Sequence, residues 1–72
     1  MAEIVYARFG RRLQRIRVRR AISQQKLADA IGLHRPSVTN IESGKQRVQL
    51  HNVVAIARFL HVSPITLLKG VL

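Results

Sequence analysis

The side chains able to do specific chemistry gather in the stretch His34-Arg35-Pro36-Ser37-Val38-Thr39-Asn40, and what they suit is recognition. The Arg35 guanidinium donates two parallel hydrogen bonds, the geometry that matches guanine or a phosphate. Asn40 carries a donor beside an acceptor, as the edge of adenine requires, and Thr39 or Pro36 offers apolar surface to a thymine methyl. His34 is placed to cap a helix or to approach a base or phosphate. Groups for bond-breaking chemistry are missing. The chain has no cysteine, three acids (Glu3, Asp29 and Glu42), and neither a nucleophile–base pair nor a phosphate-cradling glycine loop. His51 and His61 lie ten residues apart without acidic or cysteine companions, so they read as surface or helix-end residues. No enzyme, catalytic residue, metal or cofactor is expected.

The charge balance points the same way. Thirteen lysines and arginines, ten of them arginine, give 72 residues a formal net charge of +10. Such an excess calls for a polyanionic partner, and charge alone does not separate DNA from RNA or an anionic membrane. With 47% of residues apolar, the chain reads as one folded domain over 1–72 and not as a basic disordered tail. Its stability must come from one small core, supplemented by a dimer interface. No apolar run approaches the roughly 20 residues needed to cross a membrane, and no secretory signal is visible. The expected setting is a reducing cytoplasm, bacterial or phage-encoded, with the protein associated with the nucleoid.

Five helices must position these groups. A first helix over 1–20 has an apolar stripe of Val5, Phe9, Leu13 and Ile16, with Arg17 beside it. Arg8, Arg11, Arg12, Arg15, Arg19 and Arg20 fall elsewhere on the wheel. They read as a solvated face, or as an amphipathic membrane-surface helix if the stripe were not needed as a lid on the rest. Ser23–Gly44 then describes two short helices. Leu27 and Ile31 share a face with Ala28 beside them, Gly32 breaks the rhythm, and Val38 and Ile41 resume it until Gly44. Ser23 is the cap of the first, and Pro36 is tolerable only in the first turn of the second, which places that helix's start near His34 or Arg35. A small Ala28 and a Gly32 four residues on form the spacing of a helix-turn-helix. A fourth helix spans about Leu50–Leu60, with Leu50, Val53, Val54, Ala57 and Leu60 inward and Ile56 and Phe59 broadening that face. Ser63-Pro64 starts a short fifth helix through Ile65, Leu67 and Leu68, ended by Gly70.

The stretch SQQKLADAIGLHRPSVTNIESG, with its closing I-E-x-G (Ile41, Glu42, Ser43, Gly44), resembles the phage-repressor/Cro-like (XRE-type) helix-turn-helix transcriptional regulators. The resemblance covers about Phe9–Gly70 and includes LHVSPITLLKG, which is similar to the family's usual final helix. It implies an all-α, five-helix, lambda-repressor-like DNA-binding domain, core about 9–70, with the helix-turn-helix at helices 2 and 3. It also implies that Gln24 binds a backbone phosphate and that Glu42 pairs with Arg17 near the end of the first helix. A carboxylate exposed toward DNA would repel phosphate, so Glu42 is expected to turn inward for that reason too. Arg35-Pro36 stands where many relatives carry glutamines, so a relative's target sequence cannot be borrowed.

On this reading His34, Arg35, Pro36, Thr39 and Asn40 contact bases. Ser23, Gln24, Gln25, Ser37, Ser43, Lys45 and Arg47 hold phosphates, which positions the protein without reading sequence. The expected function is sequence-specific binding of double-stranded DNA by a transcriptional regulator, a repressor or autoregulator without a fixed sign. A homodimer would set two recognition helices about 34 Å apart on a palindromic operator. Ile56, Phe59, Ile65, Leu68 and Leu72 are the candidate dimer interface, since the C-terminal part is more apolar than short helices need. Three alternatives stay open: an antitoxin whose main partner is a toxin, a restriction–modification controller, and an RNA-binding or coactivator role. A further protein partner would be a toxin or a polymerase, and no membrane partner is expected.

Overall fold

Local chemistry sets the helix ends in the computed structural model, which describes residues 1–71. The elements are α1 (Ala2–Arg19), α2 (Gln24–Ile31), α3 (Arg35–Glu42), α4 (Leu50–Leu60) and α5 (Pro64–Leu68), with no strand among the described residues. The Ser23 hydroxyl accepts from the Lys26 amide at 3.0 Å, and that of Ser63 accepts from the Thr66 amide at 3.1 Å, each filling a donor left over at a helix start. Pro36 and Pro64 both sit in a first turn, where the missing amide has no partner to lose. Gly32 closes α2 in the left-handed conformation at φ +75°, and His61 closes α4 in the same way at φ +56°.

The core is a single apolar cluster drawn from all five helices. Leu13, Leu27, Val38, Ile41, Ile56, Leu60 and Leu67 are its deepest members, with Phe9, Ala28, Val53 and Ala57 around them. α2 packs on α3 and α4, while α1 reaches across both α3 and α5. Ala28 is fully buried. Gly10 lies buried on α1 directly against the backbone carbonyls of Ile41 and Glu42 at the end of α3. Among the described residues no helix is long and apolar enough to cross a membrane.

Three expectations need correction. Ile56 is wholly buried, so it belongs to the core and not to a dimer interface. The inward stripe of α4 runs through Val53, Ile56, Ala57 and Leu60, spaced three and four apart. Val54 follows Val53 by about 100° around the helix and is therefore 37% exposed, not inward. Leu50 opens α4 before its neighbours close over it, and is 79% exposed. Of the remaining dimer candidates, Phe59 is half-buried against the core, Ile65 and Leu68 are exposed, and Leu72 lies outside the described residues.

Two arginines of α1 are structural in a way that periodicity hides. Arg12 donates from Nε and Nη2 to the Thr66 carbonyl at 3.2 and 3.1 Å, and Arg20 donates to the Leu60 carbonyl. Both acceptors lie in the last turns of their helices, where the helix dipole favours a cation, and the Thr66 carbonyl accepts from the Lys69 amide as well. Arginines assigned to a solvated face thus fasten α5 and α4 to α1.

Candidate nucleic-acid interface

α3 presents its first turn to solvent because Val38 and Ile41, three apart, commit the opposite side to the core. His34, Arg35, Pro36 and Thr39 are exposed, and Asn40 and Ser37 are half-buried at the edges of that face. His34 occupies the cap position, yet its side chain makes no capping bond, contrary to one of its expected uses. The Arg35 guanidinium makes no hydrogen bond among the described residues, so all its donors face outward. The Thr39 hydroxyl donates to Gln24 Oε1 at 2.8 Å, with the Arg35 carbonyl at 3.2 Å as a second acceptor. With its proton used internally, Thr39 offers the outside its methyl and lone pairs.

Beneath this face lies a buried polar network. Arg17 Nε donates to Glu42 Oε2 at 2.6 Å and Arg17 Nη2 to Oε1 at 3.0 Å, a two-pronged pair. A third donor, Arg17 Nη1, reaches the Ile22 carbonyl at 2.7 Å, which ties the pair to the turn before α2. Gln24 Nε2 adds a bond to Glu42 Oε1 at 2.9 Å. The side chains of Arg17 and Glu42 are only 10% and 2% exposed, so the carboxylate presents almost nothing to an incoming phosphate. The chain Arg17–Glu42–Gln24–Thr39 therefore locks the end of α1, the start of α2 and the outer face of α3 together.

This network changes the part available to Gln24. Its carboxamide donates one Nε2 hydrogen to Glu42 and accepts from Thr39, which fixes its orientation and leaves the second Nε2 hydrogen free to donate to a phosphate. The start of α2 also presents its backbone: the Gln24 and Gln25 amides precede the first helical acceptors and point along the helix dipole. The Gln25 side chain is likewise engaged, donating to Asp29 Oδ1 at 2.8 Å on the exposed flank of α2. The Ser23 hydroxyl is the α2 cap, and that of Ser43 donates to the Asn40 carbonyl at 3.2 Å.

The loop after α3 is braced from below. Its turn at Gly44 lies on Ala7 of α1, where a Cβ on the glycine would come within 3.0 Å of the Ala7 Cα. Lys45 is exposed, and the Arg47 guanidinium sits 5.5 Å from the centre of the Tyr6 ring, a cation–π distance. Glu3 stays ionised nearby. Its carboxyl is held below the usual range first by its own backbone amide at the open start of α1, then by the terminal ammonium, with Arg47 a smaller cause. Tyr6 and Gly10 escaped sequence reading because their partners are far along the chain. Among the described residues no group of acids and histidines could hold a metal ion.

A helix-turn-helix family model, HTH_3, matches residues 13–67. The chain belongs to that family. It is a Cro/C1-type helix-turn-helix regulator, and regulators of this family bind double-stranded DNA. The regulator is 39% identical over 61 residues to the control protein C.BamHI of Bacillus amyloliquefaciens, covering 83% of this chain and 75% of that one. It is 37% identical over 62 residues to the SPbeta prophage-derived HTH-type transcriptional regulator YonR of Bacillus subtilis, covering 86% of this chain and 57% of YonR. Among solved structures, the restriction–modification controller protein C.AhdI from Aeromonas hydrophila superposes with a TM-score of 0.82 at 35% identity. That superposition covers 86% of this chain and 94% of C.AhdI.

Proposed function

We propose that this regulator reads a two-fold-symmetric duplex site as a homodimer and controls a restriction–modification system, the role that the name of C.AhdI states for that relative. The observation that carries the reading is the first turn of α3. Arg35 and Pro36 are exposed on it, the Arg35 side chain makes no hydrogen bond among the described residues, and the cations Lys45 and Arg47 stand exposed in the loop that follows α3. Arg35 reads guanine in the major groove, with Thr39 and Pro36 against thymine methyls and Asn40 and His34 at the edges of the contact. Phosphates are held by the Gln24 and Gln25 backbone amides on one side and by Lys45 and Arg47 on the other, with Ser23, Ser37 and Ser43 lining the approach. Pairing of two copies is supported by exposed Ile65 (81%) and Leu68 on α5, next to exposed Leu50 on α4, an apolar group that a second copy would cover.

The test is selection of sites from a random duplex library at near-physiological salt. An enriched palindrome supports the dimeric reading, an enriched asymmetric site removes the dimer, and no enrichment removes sequence-specific reading altogether. Two substitutions divide the labour at the interface. Arg35→Ala is expected to cost about 1–3 kcal/mol on the selected site and to relax preference at one base pair. Equal losses on selected and scrambled duplexes would take Arg35 out of the reading role. Lys45→Ala weakens all sequences alike and reduces the slope of log K against log salt by about 0.9, the signature of one lost phosphate contact.

A further inference from the structure

A second basic surface lies on the side of α1 turned away from α3. Gly10 faces the carbonyls of Ile41 and Glu42 in α3, whereas Arg12 reaches the Thr66 carbonyl in α5. Two residues apart on a helix means about 200° around it, so α3 and α5 occupy opposite flanks of α1. Arg8 and Arg15 stand four residues before and three after Arg12, on the same flank as the contact with α5. With Arg11 and Lys69 they line a concavity of about 400 Å³ that also touches Gly70. Arg8, Arg11, Arg15 and Lys69 are exposed, and Arg12 is held in place by its two bonds.

Among the described residues no acidic side chain neutralises this cluster. Glu42 is buried against Arg17, Asp29 is bonded to Gln25 on α2, and Glu3 lies at the start of α1 beside the terminal ammonium. Five like charges converge there without an acid in the lining, so an external anion gains from every one of them. The lining also decides what kind of anion. The concavity itself holds no apolar side chain, the exposed Ile65 and Leu68 lying on the other side of Lys69 and Gly70, whereas a protein interface needs an apolar centre. A membrane-surface helix must insert an apolar face, and that of α1 is spent on the core through Phe9, Leu13 and Ile16. What remains is a file of planar guanidiniums, the group suited to successive phosphates.

We infer that the Arg8, Arg11, Arg15 and Lys69 surface binds the phosphate backbone of a second segment of duplex DNA, making the protein a bridge between two duplexes. The contact is sequence-independent, since phosphates carry no sequence information. It goes beyond the reading by α3 and does not rest on it. The body measures 30 × 24 × 22 Å, and duplex DNA stays nearly straight over such lengths, so one short duplex cannot occupy both faces.

The experiment is a sandwich assay with the full chain. Short mixed-sequence duplex is immobilised, loaded with protein, and offered a second, fluorescent duplex. Wild type captures the second duplex. The variant Arg8→Gln/Arg11→Gln/Arg15→Gln/Lys69→Gln still loads onto the immobilised duplex, but its capture falls at least about tenfold as four phosphate contacts are lost. The corresponding variant with Arg8→Lys, Arg11→Lys and Arg15→Lys keeps its charge and most of its capture, which separates charge from folding. All substituted residues are exposed, and a circular dichroism melt unchanged from wild type verifies the fold. Undiminished capture by the glutamine variant overturns the proposal, because two copies of α3 would then account for bridging. So does a glutamine variant that bridges normally but loses binding to polyglutamate, which would assign the surface to an acidic protein. A failed operator selection leaves these arms readable, and successful selection with undiminished capture refutes only the second surface.

Discussion

Glu42→Ala is expected to destabilise the fold by about 3–5 kcal/mol, the cost of leaving a buried charge without its partner. The guanidinium of Arg17 would keep its bond to the Ile22 carbonyl, but would lose both bonds to carboxylate oxygens at 2.6 and 3.0 Å. Water cannot readily replace them, since the Arg17 side chain is 10% exposed. For a domain of this size the whole stability is on the order of 4–11 kcal/mol, so the variant stands near the edge of folding. The physics also predicts the reverse for a joint replacement. Arg17→Met/Glu42→Leu removes both charges and their desolvation cost together, and should restore most of the lost stability or exceed wild type. Urea unfolding of the single and double variants checks both signs. A single-variant loss below about 1 kcal/mol, or a double variant as weak as Glu42→Ala, would show that the pair is not coupled in this way.

What is legible in the sequence is whatever is decided within one turn of helix. Ser23, Gly32, Pro36 and Ser63-Pro64 mark helix ends through bonds and dihedrals that involve residues three or four away, and each sits at the end it marks. The five helices follow from these marks and from apolar spacing. Contacts between distant elements leave no such trace. Arg12 and Arg20 look like their solvated neighbours, and only the fold brings them to carbonyls 54 and 40 residues away. The spacing of Arg17 and Glu42, 25 residues apart, does not tie them; the family likeness does. Ile56 illustrates an ambiguity of another kind. α4 is apolar around most of its circumference, so the pattern alone does not choose which of Leu50, Val54, Ile56 and Phe59 turn outward, and packing buries Ile56 while exposing Leu50. The candidate interface follows the same division. The outward first turn of α3 follows from Pro36, Val38 and Ile41, whereas the occupation of the Gln24 side chain by Glu42 and Thr39 depends on three elements meeting.

Gly10→Ala sets a local rule against a tertiary one and should be decided by the second. In a helix interior, alanine is favoured over glycine by about 1 kcal/mol, so the substitution would stabilise an isolated α1. In the fold its Cβ would lie 2.1 Å from the Ile41 carbonyl oxygen and 2.7 Å from that of Glu42. Those are backbone atoms, and no side-chain rotation relieves them, so α1 and α3 must move apart. The expected cost is on the order of 3 kcal/mol, the upper end of overpacking, which outweighs the gain in propensity. Separation of the two helices also pulls Arg17 from Glu42 and tilts the first turn of α3, so affinity for duplex DNA falls with stability. Gly32→Ala is the matched control. There a Cβ meets nothing within 4 Å, and the penalty is the left-handed φ of +75° alone, about 1 kcal/mol, without displacement of α3 from α1. Thermal or urea melts should therefore rank Gly10→Ala well below Gly32→Ala, although Gly32 is the glycine whose role the sequence advertises. The opposite ranking would mean that the α1–α3 contact yields readily, and that the network beneath the recognition helix does not depend on it.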